Sequence, residues 1–150
     1  MRIIIQRVEK ASVSIDEKII ASINFGFLIL LGIEHDDTEF DIDWLCQKIC
    51  SLRIFNDSDG KMNLNIIDVA GEICVVSQFT LFASCKKGNR PSFLKSAKPE
   101  IAIPIYNLFL EKLKLAFGKK IQSGVFGADM KINLVNDGPV TIFLDSKNKE

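Results

Sequence analysis

Two polar segments interrupt apolar stretches of the sequence, and the first of them is Ser77-Gln78-Phe79-Thr80. Here an apolar strand becomes polar without a turn residue. If strand alternation continues, Ser77 and Phe79 face one way while Gln78 and Thr80 face the other. Hydroxyls or backbone N–H groups at such a strand end can stabilise a polarised carbonyl. A strand that simply reaches the edge of its sheet explains the same residues.

The second segment is Asn136-Asp137-Gly138-Pro139-Val140-Thr141, between two strongly apolar strands. Asn, Asp, Gly and Pro together are typical of a turn. However, Gly138-Pro139 is also a rigid stretch without bulky side chains, and an X-Pro bond can be cis at low cost. Such a backbone feature could measure the shape of a small ligand. The residues alone leave both interpretations open.

The single histidine, His35, limits the possible chemistry. A two-histidine acid/base mechanism cannot be built within one subunit, and neither can a zinc site with two imidazoles. A Ser-His-Asp or Cys-His arrangement would have to use His35. This residue lies in a polar stretch before a predicted helix, so a solvated loop histidine is the simpler interpretation.

The cysteines indicate neither a disulfide framework nor a metal site. They are Cys46, Cys50, Cys74 and Cys85, and no C-x-x-C pair occurs. We expect reduced, mostly buried thiols in a cytoplasmic protein, with no metal and no cofactor. We expect no signal peptide, because the apolar run of residues 3–5 ends at Gln6-Arg7, and the longest apolar run, residues 27–33, is far shorter than the roughly 20 residues that span a bilayer. A soluble protein is therefore expected.

The elements that must position these segments are short. Apolar and β-branched runs predict strands over residues 2–8, 11–15, 19–23, 27–33, 53–55, 73–79, 130–135 and 140–144. Thr38 and Asp41 predict the start of one helix, and a second helix is predicted from about Pro99 to Phe117, with Gly118 at its end. Residues 27–33 are apolar on both faces, which predicts a central strand.

Chain length and net charge limit the number of domains and the possible partners. We expect the 150 residues to form a single domain with one core, with residues 146–150 as a flexible tail. The 19 basic and 19 acidic residues give zero net charge, which argues against a globally basic nucleic-acid binder. A local basic strip or a solvated loop explains the cluster of Lys86, Lys87, Arg90, Lys95 and Lys98.

Taken together, the two polar segments resemble the signature pair of the D-aminoacyl-tRNA deacylases. Other stretches agree, and these are residues 5–8, 11–13, 87–93 and 126–130. The resemblance runs from Met1 to about Ser146 with the motifs in the family's order. It implies a hydrolase that releases D-amino acids, and also glycine mischarged onto other tRNAs, from aminoacyl-tRNA. It also implies a homodimer with active sites at the subunit interface.

The resemblance implies a role for each motif residue. Main-chain N–H groups around Phe79 and Thr80 would stabilise the ester oxyanion, in a catalytic segment formed by Ser77 to Thr80. Gly138-Pro139, in a cis peptide inserted into the partner's pocket, would exclude L side chains. Arg7 and Asn136 would support this chiral selector. The terminal adenosine would bind against Phe126 and Met130. The contacts expected with the tRNA acceptor end are from Lys86, Lys87 and Arg90.

The fold expected is α/β (α+β), with mixed, largely antiparallel sheets that form a barrel-like core and two main helices packed on one side. For the chemistry, the tRNA 2′-hydroxyl is the first candidate for the acid/base, and Thr80 as a nucleophile is the second, because no base for it is identified. A non-catalytic nucleic-acid-binding module is the alternative function, although DNA is not expected as a partner. A related deacylase that clears a mischarged L-amino acid is a third possibility.

Overall fold

A computed structural model of the chain describes residues 1–86 and 88–149. It contains eight strands and two helices among these residues, and a short 3₁₀ helix over Phe79–Phe82. The strands are β1 (Arg2–Ile15), β2 (Lys18–Ile23), β3 (Gly26–Gly32), β4 (Phe55–Asn56), β5 (Met62–Leu64), β6 (Glu72–Ser77), β7 (Gln122–Ser123) and β8 (Lys131–Asp145). The helices are α1 (Glu39–Ser51) and α2 (Pro99–Phe117).

The main sheet is built around β1. Along one edge β1 pairs antiparallel with β8, and along the other it pairs first with β3 and then with β2. Beyond β3 the sheet continues in parallel through β6 and β7. Because β2 also contacts β6 and β7, the sheet curls into a nearly closed, barrel-like core. The mixed, largely antiparallel architecture predicted from the sequence is confirmed.

Both helices pack on the same face of this sheet, as predicted. Their apolar faces meet the main core, where Leu45 of α1 and Phe109 of α2 are fully buried with Ile29 of β3. A smaller cluster that includes Leu28 and Val76 fills the opposite face of β3 and β6. Since β3 is covered on both faces, its continuous apolar run is explained. No helix of the described residues is both long and apolar enough to cross a bilayer.

The helix ends follow the local sequence. The Thr38 backbone N–H and hydroxyl both donate to the Asp41 carboxylate, and the two residues form a capping box at the start of α1. Gly118 ends α2 in the left-handed conformation, with φ of 71°. Pro104 is the sixth residue of α2 and lies inside the helix, so α2 lacks the hydrogen bond that an N–H at this position would donate to Glu100 O.

Several predicted strand limits are wrong. The predicted strands 2–8 and 11–15 form the single strand β1, because β1 exchanges its partner β3 for β2 without breaking. The short strand predicted over 53–55 lies at Phe55–Asn56. Residues 136–139 do not end a strand: β8 continues through them, with shifts of register against β1. The predicted tail is held at Ser146, which is buried and donates its N–H to Met1 O.

Candidate active site

A cavity of about 280 Å³ opens beside the ends of β3 and β6. Its walls come from these strand ends, from residues 78–79, from the segment before α2, and from residues 126–130 with the start of β8. The first polar motif therefore lies on one wall, and the residues proposed for adenosine lie on another. Sequence reasoning missed the segment before α2, where Ser96 and Ala97 line the cavity. Their small side chains carry no pattern that would have marked them.

Ser77, Gln78 and Phe79 all line this cavity, so the predicted alternation along 77–80 is wrong. The strand β6 ends at Ser77, and Gln78 makes the last ladder-like bond by donating its N–H to Leu31 O at 2.7 Å. The chain then turns into the 3₁₀ helix at Phe79. Because a 3₁₀ turn rotates successive residues by about a third of a circle rather than a half, consecutive side chains can face one cavity.

The 3₁₀ helix leaves two backbone donors free. Its first bond runs from Leu81 N to Gln78 O, at 3.3 Å. The N–H groups of Phe79 and Thr80 precede that bond, and neither has an acceptor within the described part of the chain. Two adjacent free N–H groups beside a cavity can donate to a single ligand oxygen that becomes negatively charged.

Phe126 and Met130, the residues assigned to the adenosine from the sequence, line the opposite wall. The Phe126 ring packs edge-on against Tyr106, with 5.6 Å between centroids. The Tyr106 hydroxyl donates to Val75 O at 3.1 Å, and burial raises the pKa of Tyr106 well above its usual value, so the donor persists at neutral pH. A Cβ at Gly124 would lie 2.4 Å from Met130 Sδ, so a side chain there would displace the Met130 side chain from this wall.

The second motif forms an exposed, braced bulge in β8. Asn136 Nδ2 donates to Arg7 O at 2.9 Å and to Val140 O at 3.0 Å, on either side of Gly138-Pro139. The Arg7 guanidinium is buried, donates to Ile54 O at 2.5 Å and lies 2.8 Å from the Asp137 carboxylate. The Gly138-Pro139 peptide bond is cis, and both residues are exposed.

The two motifs do not meet within one chain. No residue from Asn136 to Pro139 lines the cavity that Ser77, Gln78 and Phe79 border. Arg7 and Asn136 contact the Gly-Pro segment, so those two predicted supports are beside it. Lys86 and Arg90 are exposed in a loop that pairing of Ser84 with Ser92 closes, whereas Lys87 lies outside the described residues.

The buried cysteines and the histidine do not line this cavity. Burial raises the pKa of Cys46 to about 12 and that of Cys74 to about 11, so both thiols stay protonated at neutral pH. His35 is exposed in a turn before α1, as predicted. Among the described residues, no three His, Cys, Asp or Glu side chains come together as metal ligands would.

The family model for D-Tyr-tRNA(Tyr) deacylase matches residues 4–145, nearly the whole chain. The chain belongs to this family. A D-aminoacyl-tRNA deacylase of Flavobacterium psychrophilum is 61% identical over 150 residues, which cover all of both chains. The protein of that name from Bacteroides thetaiotaomicron is 59% identical over the same length. The resemblance inferred from the two motifs is confirmed, and this deacylase is a hydrolase.

Solved structures agree with the fold of the deacylase. The structure named "c-Myc DNA Unwinding Element Binding Protein" is 41% identical, with a TM-score of 0.92 over 97% of this chain and 98% of that one. A probable eukaryotic D-amino acid tRNA deacylase superposes with a TM-score of 0.81 over 95% of this chain and 97% of that one. At 15% identity, the second likeness supports the fold alone.

Proposed function

We propose that the deacylase acts as a homodimer in which Gly138-Pro139 of each chain enters the partner's cavity. The observation that carries the proposal is the separation of the two motifs within one chain. Gly138 and Pro139 are exposed, yet Arg7 and Asn136 brace the backbone around them. A rigid, exposed backbone feature away from its own cavity is suited to complete the cavity of a second copy.

Chirality is then selected by exclusion. Backbone groups of Gly138-Pro139 hold the substrate α-amino group, and the space beside them admits the hydrogen of a D-amino acid but not an L side chain. Glycine has no side chain to reject, so glycyl-tRNA is a further substrate. A deacylase that clears L-amino acids would need this space to be open.

The ester is hydrolysed without a protein nucleophile. The N–H groups of Phe79 and Thr80 donate to the carbonyl oxygen as it gains negative charge, while the terminal adenosine packs against Phe126 and Met130. Ser77 and Gln78 shape the same wall. The 2′-hydroxyl of the terminal ribose serves as the acid/base. The Thr80 hydroxyl receives its hydrogen bond from the Gln78 amide, a donor that cannot remove a proton.

The cellular role follows from the substrate. The enzyme binds the 3′ acceptor end of aminoacyl-tRNA in the cytoplasm and removes D-amino acids before they reach translation. Lys86 and Arg90 contact the acceptor end, and Lys87 is assigned with them from the sequence. Because few phosphates need to be neutralised at the acceptor end, we expect modest affinity that falls as salt rises.

DNA binding is a second candidate function. The observation in its favour is the printed name of the 41% identical solved structure, which refers to a DNA unwinding element. Zero net charge counts against a general affinity for duplex DNA. Fluorescence anisotropy with labelled duplex DNA and labelled tRNA at the same salt concentration separates the two partners.

The experiment that tests the main proposal is a deacylation time course on D-Tyr-tRNA and L-Tyr-tRNA side by side. We expect rapid loss of the D-ester while the L-ester is spared. Equal loss of both esters would retain an esterase but contradict the Gly138-Pro139 selector. Loss of neither ester, with tRNA still bound, would support a non-catalytic nucleic-acid-binding protein.

A further inference from the structure

A fixed turn forms one rim of the cavity, and we call residues 93–98 the 93–98 rim. Ser96 N donates to Phe93 O at 3.0 Å, which closes the turn with Leu94 and Lys95 at its corners. Ala97 N donates to Ile33 O at 2.9 Å, so the turn is attached to the chain just after β3. Because Ser96 and Ala97 line the cavity, whatever leaves the cavity on this side passes over the turn.

The 93–98 rim and the adjoining Phe79 ring present apolar surface to solvent. Leu94 is 87% exposed and Phe79 is 56% exposed. The Phe79 ring contacts Phe93 edge-on, with 5.0 Å between centroids, which holds both rings in place. Exposed rings beside positive charge are the usual means by which proteins bind single-stranded nucleic acid, because every base has a face that can stack.

Charge distinguishes the 93–98 rim from the opposite rim of the cavity. Lys95 and Lys98 are exposed on the 93–98 rim. Across the cavity, the lining includes Asp129, whose carboxylate is exposed and pairs with Lys131 at 2.8 Å. Two further carboxylates lie next to the 93–98 rim, Glu34 through its bridge to Ser96 and Glu100 two residues along the chain. Glu34 is half-buried and 3.7 Å from the Met1 ammonium, and Glu100 is exposed in the first turn of α2.

We propose that the 93–98 rim, together with the Phe79 ring, binds the unpaired nucleotides that precede the terminal adenosine of the tRNA. The inference rests on the proposed function, which puts the adenosine in the cavity. The polynucleotide must then leave the cavity, and its phosphates are attracted to Lys95 and Lys98 and not to Asp129. The bases stack on the Phe79–Phe93 pair and on Leu94.

The test compares a long substrate with a short one that cannot reach the rim. Hydrolysis of D-Tyr-tRNA and of the D-tyrosyl ester of adenosine is measured for the wild type and for a Lys95→Ala/Lys98→Ala double variant. On D-Tyr-tRNA we expect KM to rise about three- to tenfold with kcat nearly unchanged, since the contacts are made equally in ground and transition states. On the adenosine ester we expect no change.

Salt dependence gives a second readout. Two phosphate contacts to a single strand contribute roughly 1.4 to the slope of log kcat/KM against log salt, and the double variant loses that contribution. The matched control is Lys48→Ala/Lys114→Ala, which removes two exposed lysines from the last turns of α1 and α2. The control variant keeps the wild-type KM on D-Tyr-tRNA.

Variants Phe93→Leu and Leu94→Ser test the apolar part of the rim. Each is expected to raise KM for D-Tyr-tRNA while leaving hydrolysis of the adenosine ester intact, which also shows that the cavity is folded. The inference is overturned if the lysine double variant and its control behave alike, or if the rim variants slow both substrates equally. If the wild type hydrolyses neither substrate, the proposed function itself fails.

Discussion

The hydroxyl of Thr80 accepts a hydrogen bond from Gln78 Nε2, and this contact limits what the side chain can do in catalysis. A hydroxyl that accepts from an amide donor is not activated as a nucleophile, because activation requires a group that takes its proton. By contrast, the Thr80 backbone N–H, next to that of Phe79, has no acceptor among the described residues. In the proposed mechanism this backbone group, which most substitutions leave intact, carries the chemistry at Thr80.

We therefore expect Thr80→Ala to retain substantial activity, with kcat on D-Tyr-tRNA within about tenfold of the wild type, since only one side-chain hydrogen bond is lost. Single-turnover hydrolysis measures this value, and circular dichroism checks the fold. Thr80→Ser, which keeps the hydroxyl, is the matched control. Complete loss of activity in a folded Thr80→Ala protein, with activity kept in Thr80→Ser, would show that the hydroxyl itself is the nucleophile.

Single residues show where sequence reasoning reaches its limit. The sequence identified Ser77 to Thr80 as a break in a strand, but it predicted that the strand continues to Phe79. The turn into a 3₁₀ helix contains no Gly, Pro or Asn, so nothing in its composition marks it. The separate strands predicted over 2–8 and 11–15 likewise left out Glu9 and Lys10, although both residues belong to β1 and are exposed where β1 changes partner.

At the scale of elements, the bulge in β8 is the feature that the proposed selector depends on. Gly138 has φ of 117°, a conformation that an L side chain rarely adopts. A Cβ there would lie 2.8 Å from Val140 Cγ2 and 3.0 Å from Arg7 Nη2. The bulge therefore needs glycine for its backbone conformation and for the space taken by Arg7.

Gly138→Ala is expected to move the bulge and to reduce hydrolysis of D-Tyr-tRNA at least about tenfold, with a loss of about 1–3 kcal/mol in the free energy of unfolding. Deacylation rates and urea denaturation measure the two effects. The control is Gly60→Ala, because Gly60 also has positive φ, 77°, but nothing lies within 4 Å of its Cβ position. Wild-type rates and D/L selectivity in Gly138→Ala would contradict the proposed selector.

The helices were the best predicted elements, and the capping residues explain why. Thr38 and Asp41 make the contacts that their spacing predicts, and Gly118 ends α2. These signals act within one turn of chain and need no tertiary partner. The pairing of β8 with β1, in contrast, joins residues more than 100 positions apart, such as Ile5 and Ile142, and local composition cannot encode it.

At the scale of the whole molecule, the two ends of the chain are joined beside the start of α1. The Met1 ammonium bonds to Asp37 and donates to Ser146 Oγ at 2.9 Å. Ser146 Oγ in turn donates to the Asp41 carboxylate at 2.6 Å. Burial raises the pKa of Asp41, but the bonds from Ser146 and Thr38 outweigh it, so the pKa is lowered from the usual 3.8.

Ser146→Ala is expected to lower the free energy of unfolding at pH 7 by about 1–2 kcal/mol, because it removes a partner from a buried ammonium and from Asp41.

A carboxyl with a depressed pKa stabilises the fold above its unfolded pKa, and this contribution is lost as pH falls through the folded pKa. The difference in the free energy of unfolding between Ser146→Ala and the wild type should therefore shrink below pH 3.8. Urea denaturation at pH 7 and pH 3 measures it, with the exposed Ser51→Ala as the control. A larger difference at pH 3 than at pH 7 would contradict the stabilisation of the ionised Asp41 carboxylate by Ser146.

How the two motifs combine belongs to the whole molecule as well. Sequence reasoning found both motifs and the two walls of the cavity, and the structure puts Ser77, Phe126 and Met130 around one space. Local sequence patterns could not reveal that Gly138-Pro139 lies away from this cavity, since strand register determines its position. The homodimer, which the family resemblance implies, stays a prediction.

Met130, just before β8, and Ile132, near the start of β8, line their own chain's cavity, and β8 carries Gly138-Pro139 a few residues later. In the proposed homodimer, one strand therefore serves two active sites. A subunit damaged only at Met130 and a subunit damaged only at Gly138 are each inactive as pure dimers. Their mixed dimer concentrates both defects in one site and leaves the other site whole. Two null alleles of this gene would thus complement each other in the same cell.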